Sequence, residues 1–151
     1  TSVTRLRLAT QADVQSIAAL NRSFHLDYEG FYWDRPEWVQ RLVSHGCYFV
    51  LEEEGALLAA ICLIVEGPEV VLETIAVKEH LRGQGIGRKL VQWAAGAAAA
   101  MGKSRLAVGS FRAYELLDFY VKCGFEHDGI KQCMGHDSHY LHLDLQTPQK
   151  Q

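Results

Sequence analysis

The chain has 151 residues, 48% of them apolar and 22% charged, and a formal net charge of −3 at pH 7. That length and apolar content suit a single domain over 1–151 with a true core, and the mildly acidic balance excludes the basic face that a nucleic-acid partner needs. No apolar run reaches the ~18 residues of a membrane span, so no membrane partner is expected. Thr1 to Ala9 alternates charge with apolar residues, unlike a secretory leader. Cys47, Cys62, Cys123 and Cys133 form no C-x-x-C pair. Free, mostly buried thiols in a reducing cytoplasm are the expectation.

Val3 to Leu8 alternates polar with apolar residues in its second half, which predicts a first strand. Thr10, followed three residues on by Asp13, reads as a helix cap, and Val14, Ile17, Ala18 and Leu20 give the helix an apolar stripe. The segment from Phe24 to Trp38 sets Phe24, Tyr28, Phe31, Tyr32, Trp33 and Trp38 among Asp27, Glu29, Asp34 and Glu37, with Gly30 and Pro36 as breaks. A second helix runs from Pro36 to His45, and Gly46 stops it. Cys47–Glu53 and Ala56–Val65 read as strands joined at Glu54-Gly55, and Glu66-Gly67-Pro68 turns into a third, Val70–Val77. A helix from Gly85 to Met101 follows, with Ile86, Leu90, Trp93, Ala94 and Ala97 on one side and Gly102 as its stop. Its alanine-rich second half favours helix and allows close packing on a sheet. Arg105–Gly109 is a strand, Arg112–Lys122 a helix, and Phe125–Ile130 and His139–Leu145 the last strands; the tail from Gln146 should fray. This order gives an α/β chain with a mixed sheet and a parallel crossover over 70–109.

The informative stretch is Leu72 to Leu90. A short apolar strand ends in a loop with glycines at 83, 85 and 87, and a helix starts within that loop. Glycines at alternate positions remove Cβ atoms, so a ligand can reach main-chain N–H groups, and a helix start adds a positive dipole end. An anion, above all a phosphate, fits such a place. The phosphate loop G-x-x-x-x-G-K-[ST] fails, since five on from Gly83 is Arg88; the dinucleotide pattern fails because the third glycine is at 87 instead of 88.

The residues Arg82-Gly83-Gln84-Gly85-Ile86-Gly87 match [QR]-x-x-G-x-[GA] after an apolar strand. The stretch resembles the acyl-CoA pyrophosphate loop of the GNAT superfamily of N-acyltransferases. A second landmark is Phe119 to Phe125, similar to the family's F-Y-x-x-x-G-F, and the element order matches from Val3 to Leu145. The resemblance implies an α/β (α+β) fold: a mixed, mostly antiparallel central sheet flanked by helices. It implies acetyl-CoA as co-substrate with no metal, and a small-molecule or peptide amine as acceptor. A homodimer stays open.

By the same resemblance the backbone of Ile75, Ala76 and Val77 pairs with the pantetheine amides. The N–H groups of Gly83, Gln84, Gly85, Ile86 and Gly87 cradle the pyrophosphate, and Arg82 and Arg88 add charge unless they are ordinary surface arginines. Glu73 is the candidate base; a counter-charge for the ammonium or a structural hydrogen bond are its alternatives. An ordinary carboxylate falls about six pKa units, roughly 8 kcal/mol, short of taking a proton from an alkylammonium, so neighbours or a water chain must help. Tyr120 resembles the family's general acid. A phenol near ~10 is weaker than a thiol near ~8.5, so hydrogen bonding to the thiolate is the safer role, against a plain core tyrosine. Many relatives place an Asn after the strand before this helix; here Gly109-Ser110-Phe111-Arg112 stands instead, with Ser110 as a weak substitute.

The aromatic and acidic 24–38 segment suits a wall for a cationic amine, or else simple helix packing. His136, His139 and His142 lie three apart, so on one strand they cannot all face the same way, and a zinc site with Cys133 is not expected. The resulting expectation is direct acetyl transfer to a primary amine in a ternary complex, since no cysteine motif supports an acyl-enzyme. A non-catalytic acyl-CoA sensor or interaction module is the alternative, and a nucleotide-phosphate binder a weaker third.

Overall fold

The computed structural model describes residues 3–146, so the expected frayed tail from 147 onward lies outside the described residues. In chain order the elements are β1 (Thr4–Leu8), α1 (Val14–Asn21), α2 (Pro36–Ser44), β2 (Tyr48–Glu53), β3 (Ala56–Glu66), β4 (Glu69–Val77), α3 (Ile86–Ala100), β5 (Arg105–Phe111), α4 (Leu117–Lys122), β6 (Glu126–Cys133) and β7 (His136–Asp144). The strands are ordered β1-β2-β3-β4-β5-β7-β6. β4 and β5 are parallel, while β1/β2, β2/β3, β5/β7 and β6/β7 are antiparallel. The fold is therefore α/β (α+β) with a mixed, mostly antiparallel sheet and helices beside it. By compactness the chain forms two units: one runs to Cys62 and adds Thr74–Gly87, and the other holds Leu63–Glu73 and the chain from Arg88 onward.

In the first unit, α1 and α2 follow the expected stripes: Val14, Ile17 and Ala18 are buried on α1, and Trp38, Val39, Leu42 and Val43 on α2. Pro36 opens α2 at a position whose N–H would be unpaired anyway, and Gly46, at φ 72°, closes it. Glu54 and Gly55 both take positive φ, the geometry a two-residue hairpin turn requires. β1 departs from simple alternation. Leu8 is exposed, whereas Arg7 turns inward and holds both carboxylate oxygens of Asp13 at 2.7 and 3.0 Å and Glu52 at 3.1 Å. Asp13 in turn accepts the Thr10 N–H at 2.8 Å, which is the expected cap.

In the second unit, Leu90, Val91, Ala94 and Ala98 form the buried stripe of α3, with Trp93 and Ala97 at its margin. The helix predicted over Arg112–Lys122 is shorter than expected. A single 3-10 turn, Arg112–Tyr114, ends at Glu115 with φ 55°, and α4 begins only at Leu117. A left-handed residue cannot continue the i to i−4 ladder, and no glycine or proline marks the break in the sequence. β6 and β7 both exceed their predicted spans because they meet in a tight turn at Met134-Gly135, both with positive φ. The four cysteines are thiols, but only Cys62 is buried and the other three are half-buried, so the expectation of mostly buried thiols does not hold. Among the described residues no helix is long and apolar enough to cross a membrane.

Candidate active site

β4 carries the strand part of the site. Its burial alternates with period two: Val70, Leu72, Thr74 and Ala76 are buried, and Glu73, Ile75 and Val77 are half-buried on the other face. The parallel register with β5 pairs Glu69–Leu72 with Arg105–Val108. β4 then continues as strand through Val77, so Ile75, Ala76 and Val77 offer extended backbone past the end of that register. Extended backbone of this kind can take up another amide-bearing chain by strand-like hydrogen bonds.

The loop after β4 begins with a 3-10 turn, Glu79–Leu81, and an extended Arg82. Gly83 and Gly85 stand at φ 82° and 84°, a region side chains disfavour. A Cβ at either would meet nothing within 4 Å, so the backbone, and not crowding, demands glycine here. α3 starts at Ile86, one residue later than expected, and places a half-buried Gly87 in its first turn. Gln84 and Arg88 are exposed. Arg82 is turned back on the root of the loop: its Nε donates to the Val77 carbonyl at 3.2 Å and its Nη2 to the Ser23 hydroxyl at 2.8 Å. A fork spent this way braces the loop instead of reaching outward.

Tyr120 and Glu73 both belong to the second unit. Tyr120 is buried between Phe119 and Phe125, with edge-on ring centroids at 5.0 and 5.5 Å. Its helix ends at Gly124, φ 101°, and the Phe125 N–H donates to the Tyr120 carbonyl at 3.1 Å. Burial, and secondarily Cys123, pushes the phenol far above its ordinary value, so it remains an O–H donor. Ser110 is buried in β5 opposite His139.

A family model described as acetyltransferase (GNAT) family matches residues 14–125, well over half of the chain. The chain belongs to the GNAT acetyltransferase family. Solved structures repeat its fold at low identity. Ard1 from Thermoplasma volcanium matches at 15% identity and TM-score 0.81, covering 95% of this chain and 98% of that one. The ribosomal-protein-S18-alanine N-acetyltransferase from Escherichia coli matches at 17% and 0.77, covering 98% and 97%. The PaiA N-acetyltransferase from Thermoplasma acidophilum, solved with coenzyme A, matches at 14% and 0.77, covering 94% and 99%. No curated protein sequence matches. The family uses acetyl-CoA, and this GNAT chain has a loop suited to it: two left-handed glycines with open space where a Cβ would stand and a helix start immediately after.

Around Glu73 the GNAT chain gathers residues that no sequence pattern singled out. Its charge raises the Cys133 thiol and the Tyr140 phenol, in both cases after burial as the larger cause. A thiol held protonated this way is a poor nucleophile. His139 and His142 go to different partners. His139 lies 3.1 Å from His127, nitrogen to nitrogen, while His142 Nδ1 meets Asp128 at 2.7 Å and its Nε2 faces Glu126 at 3.3 Å and Asp144 at 3.7 Å. Pairing of β6 with β7, which no spacing in the sequence shows, brings Glu126 and Asp128 to His142, while Asp144 lies two residues on in the same strand.

The 24–38 segment of the GNAT chain packs on itself. Tyr32 stacks on Trp33 at 4.3 Å and contacts Trp38 at 5.6 Å, and His25 engages Asp34 at 2.7 Å and Asp27 at 3.3 Å. A groove of about 730 Å³ beside it is lined by Tyr32, Arg35, Pro36, Glu37, Trp38 and Arg41. Two guanidinium groups there oppose the pull that the acidic residues alone would exert on a cationic amine.

Proposed function

We propose that this chain is an acetyl-CoA-dependent N-acetyltransferase that passes the acetyl group directly to a primary amine, held together with the donor in a ternary complex. The observation that carries the reading is the run from β4 into α3: extended backbone at Ile75–Val77, then two left-handed glycines, then a helix N-terminus. Amides on the strand suit pantetheine, and the N–H groups of Gly83–Gly87 suit a diphosphate. The acetyl thioester supplies the activated acyl group when bound.

The residues divide the remaining work. Glu73 orients the amine and accepts its proton, directly or through water, and Tyr120 donates a hydrogen bond toward the leaving sulfur. The high phenol value supports donation without full proton loss. The raised Cys133 thiol speaks against a covalent acyl-enzyme and for direct transfer.

Calorimetry with acetyl-CoA, followed by a thiol-release screen over small-molecule and peptide amines, tests the reading. Binding and turnover are expected, with Glu73→Gln and Tyr120→Phe each losing turnover on the order of 10²-fold or more while acetyl-CoA affinity stays. Binding without turnover on any amine would make the chain a sensor. No binding at millimolar acetyl-CoA overturns the reading entirely.

A further inference from the structure

One residue beyond the last registered pair of β4 and β5, Leu72 with Val108, stand Glu73 and Gly109. Leu72 and Val108 are both buried, so by strand alternation Glu73 and Gly109 belong to the opposite face. Gly109 pairs with Tyr140 of β7, which therefore shares that face. The Tyr140 ring lies over the glycine. A Cβ on Gly109 would come 3.1 Å from Tyr140 Cε1, 3.4 Å from Cδ1 and 3.7 Å from Cζ. The ring thus occupies the space that any side chain at 109 would claim, leaning from β7 across β5 in the direction of Glu73. The backbone at Gly109 has no left-handed φ, so an L residue would be tolerated there on backbone grounds. What the glycine provides is the gap.

The same face holds a cation. Lys131 of β6 puts its ammonium 5.8 Å from the Tyr140 ring centroid, and among the described residues no carboxylate pairs with it. Glu73, Tyr140 and Lys131 then read as anion, aromatic hydroxyl and cation set side by side.

We propose that Tyr140, admitted by Gly109, contacts the acceptor beside Glu73, and that Lys131 selects acceptors bearing an anionic group near the reacting amine. This rests on the reading of Glu73 as the site's carboxylate. The ammonium of such an acceptor meets Glu73, the Tyr140 hydroxyl fixes its direction, and its anionic neighbour meets Lys131. A polyamine, with cations only, meets Lys131 as a like charge.

Three measurements on the full chain test this. The first needs no turnover: NMR titration of ring-labelled tyrosine, with the Tyr140 signal assigned by its loss in Tyr140→Phe. Glu73→Gln should move that phenol to lower pH, because a nearby negative charge is removed. An unmoved signal overturns the pairing even if the enzyme reading stands. The second is kinetic. Tyr140→Phe and Gly109→Val should raise the acceptor KM about tenfold or more and leave the acetyl-CoA KM unchanged, whereas a merely structural role would lower both affinities and the melting temperature together. In the third, Lys131→Glu should reverse the order of an amino acid amine and a polyamine in kcat/KM; an unchanged order overturns the selection. Should no amine turn over at all while the phenol still shifts, the enzyme reading fails and the Glu73–Tyr140 pairing survives.

Discussion

The hydroxyl of Tyr48 on β2 lies 2.7 Å from the hydroxyl of Thr74 on β4, and it also accepts the Asn21 amide N–H at 2.9 Å. All three side chains are buried, Tyr48 and Asn21 completely. A chain of donors thus ties α1 and β2 to β4 at the residue just before Ile75. Tyr48→Phe removes the middle link and leaves Thr74 and one Asn21 proton without that partner. A loss of about 1–3 kcal/mol is expected, read as a melting temperature lower by roughly 2–4 °C per kcal/mol. A variant as stable as the parent would show the network to be idle.

Gly83→Ala and Gly85→Ala probe the loop. The added methyl meets no atom, so the penalty is the left-handed backbone alone, about 1–2 kcal/mol. Gly46→Ala carries the same kind of strain at φ 72° with equally open surroundings, away from the loop. All three variants should lose comparable stability. Only the loop pair should weaken acetyl-CoA binding in calorimetry, by tenfold or more, because their N–H groups are redirected.

Asp13 gives an acid limb to stability. Its carboxyl is held below the usual range first by the Arg7 hydrogen bonds and then by the Thr10 N–H, against the opposing effect of burial. A lowered folded value means the stabilisation is complete above the ordinary carboxylate range and is lost as pH falls through the folded value. Asp13→Asn should cost roughly 2–3 kcal/mol in urea unfolding at pH 7. The gap to the parent should narrow near pH 3.

His139 acts at milder pH. Burial lowers its value most, then the neighbouring His127 and Arg112, while Asp137 works the other way. The folded protein therefore binds this proton less readily than the unfolded chain. Stability should fall as pH drops from above the ordinary histidine value toward the lower folded value, then level off. His139→Leu should flatten the slope of urea midpoints between pH 7.5 and 5.5, and an unchanged slope would assign it to other groups.

Arg82 illustrates how far local pattern reaches. Its place at the head of the loop motif was legible, because glycine φ preferences, an apolar strand and a helix start are all set within a few residues. The use of its fork was not, since Ser23 is 59 positions away and only folding brings it to 2.8 Å. The same holds for the shortened α4, where Glu115 takes a left-handed conformation that no local residue type announces.

The sequence by itself determined the order of strands and helices, the turns at Glu54-Gly55 and Gly46, and the strand–glycine loop–helix run that marks the family. These depend on dihedral preference and on hydrophobic period, which are properties of neighbours in the chain. Tertiary structure alone decided that Arg7 faces inward, that Glu126 and Asp128 reach His142, and that Tyr140 lies over Gly109. Each follows from strand register, and shifting a register by one residue moves every side chain to the other face while leaving the sequence pattern unchanged.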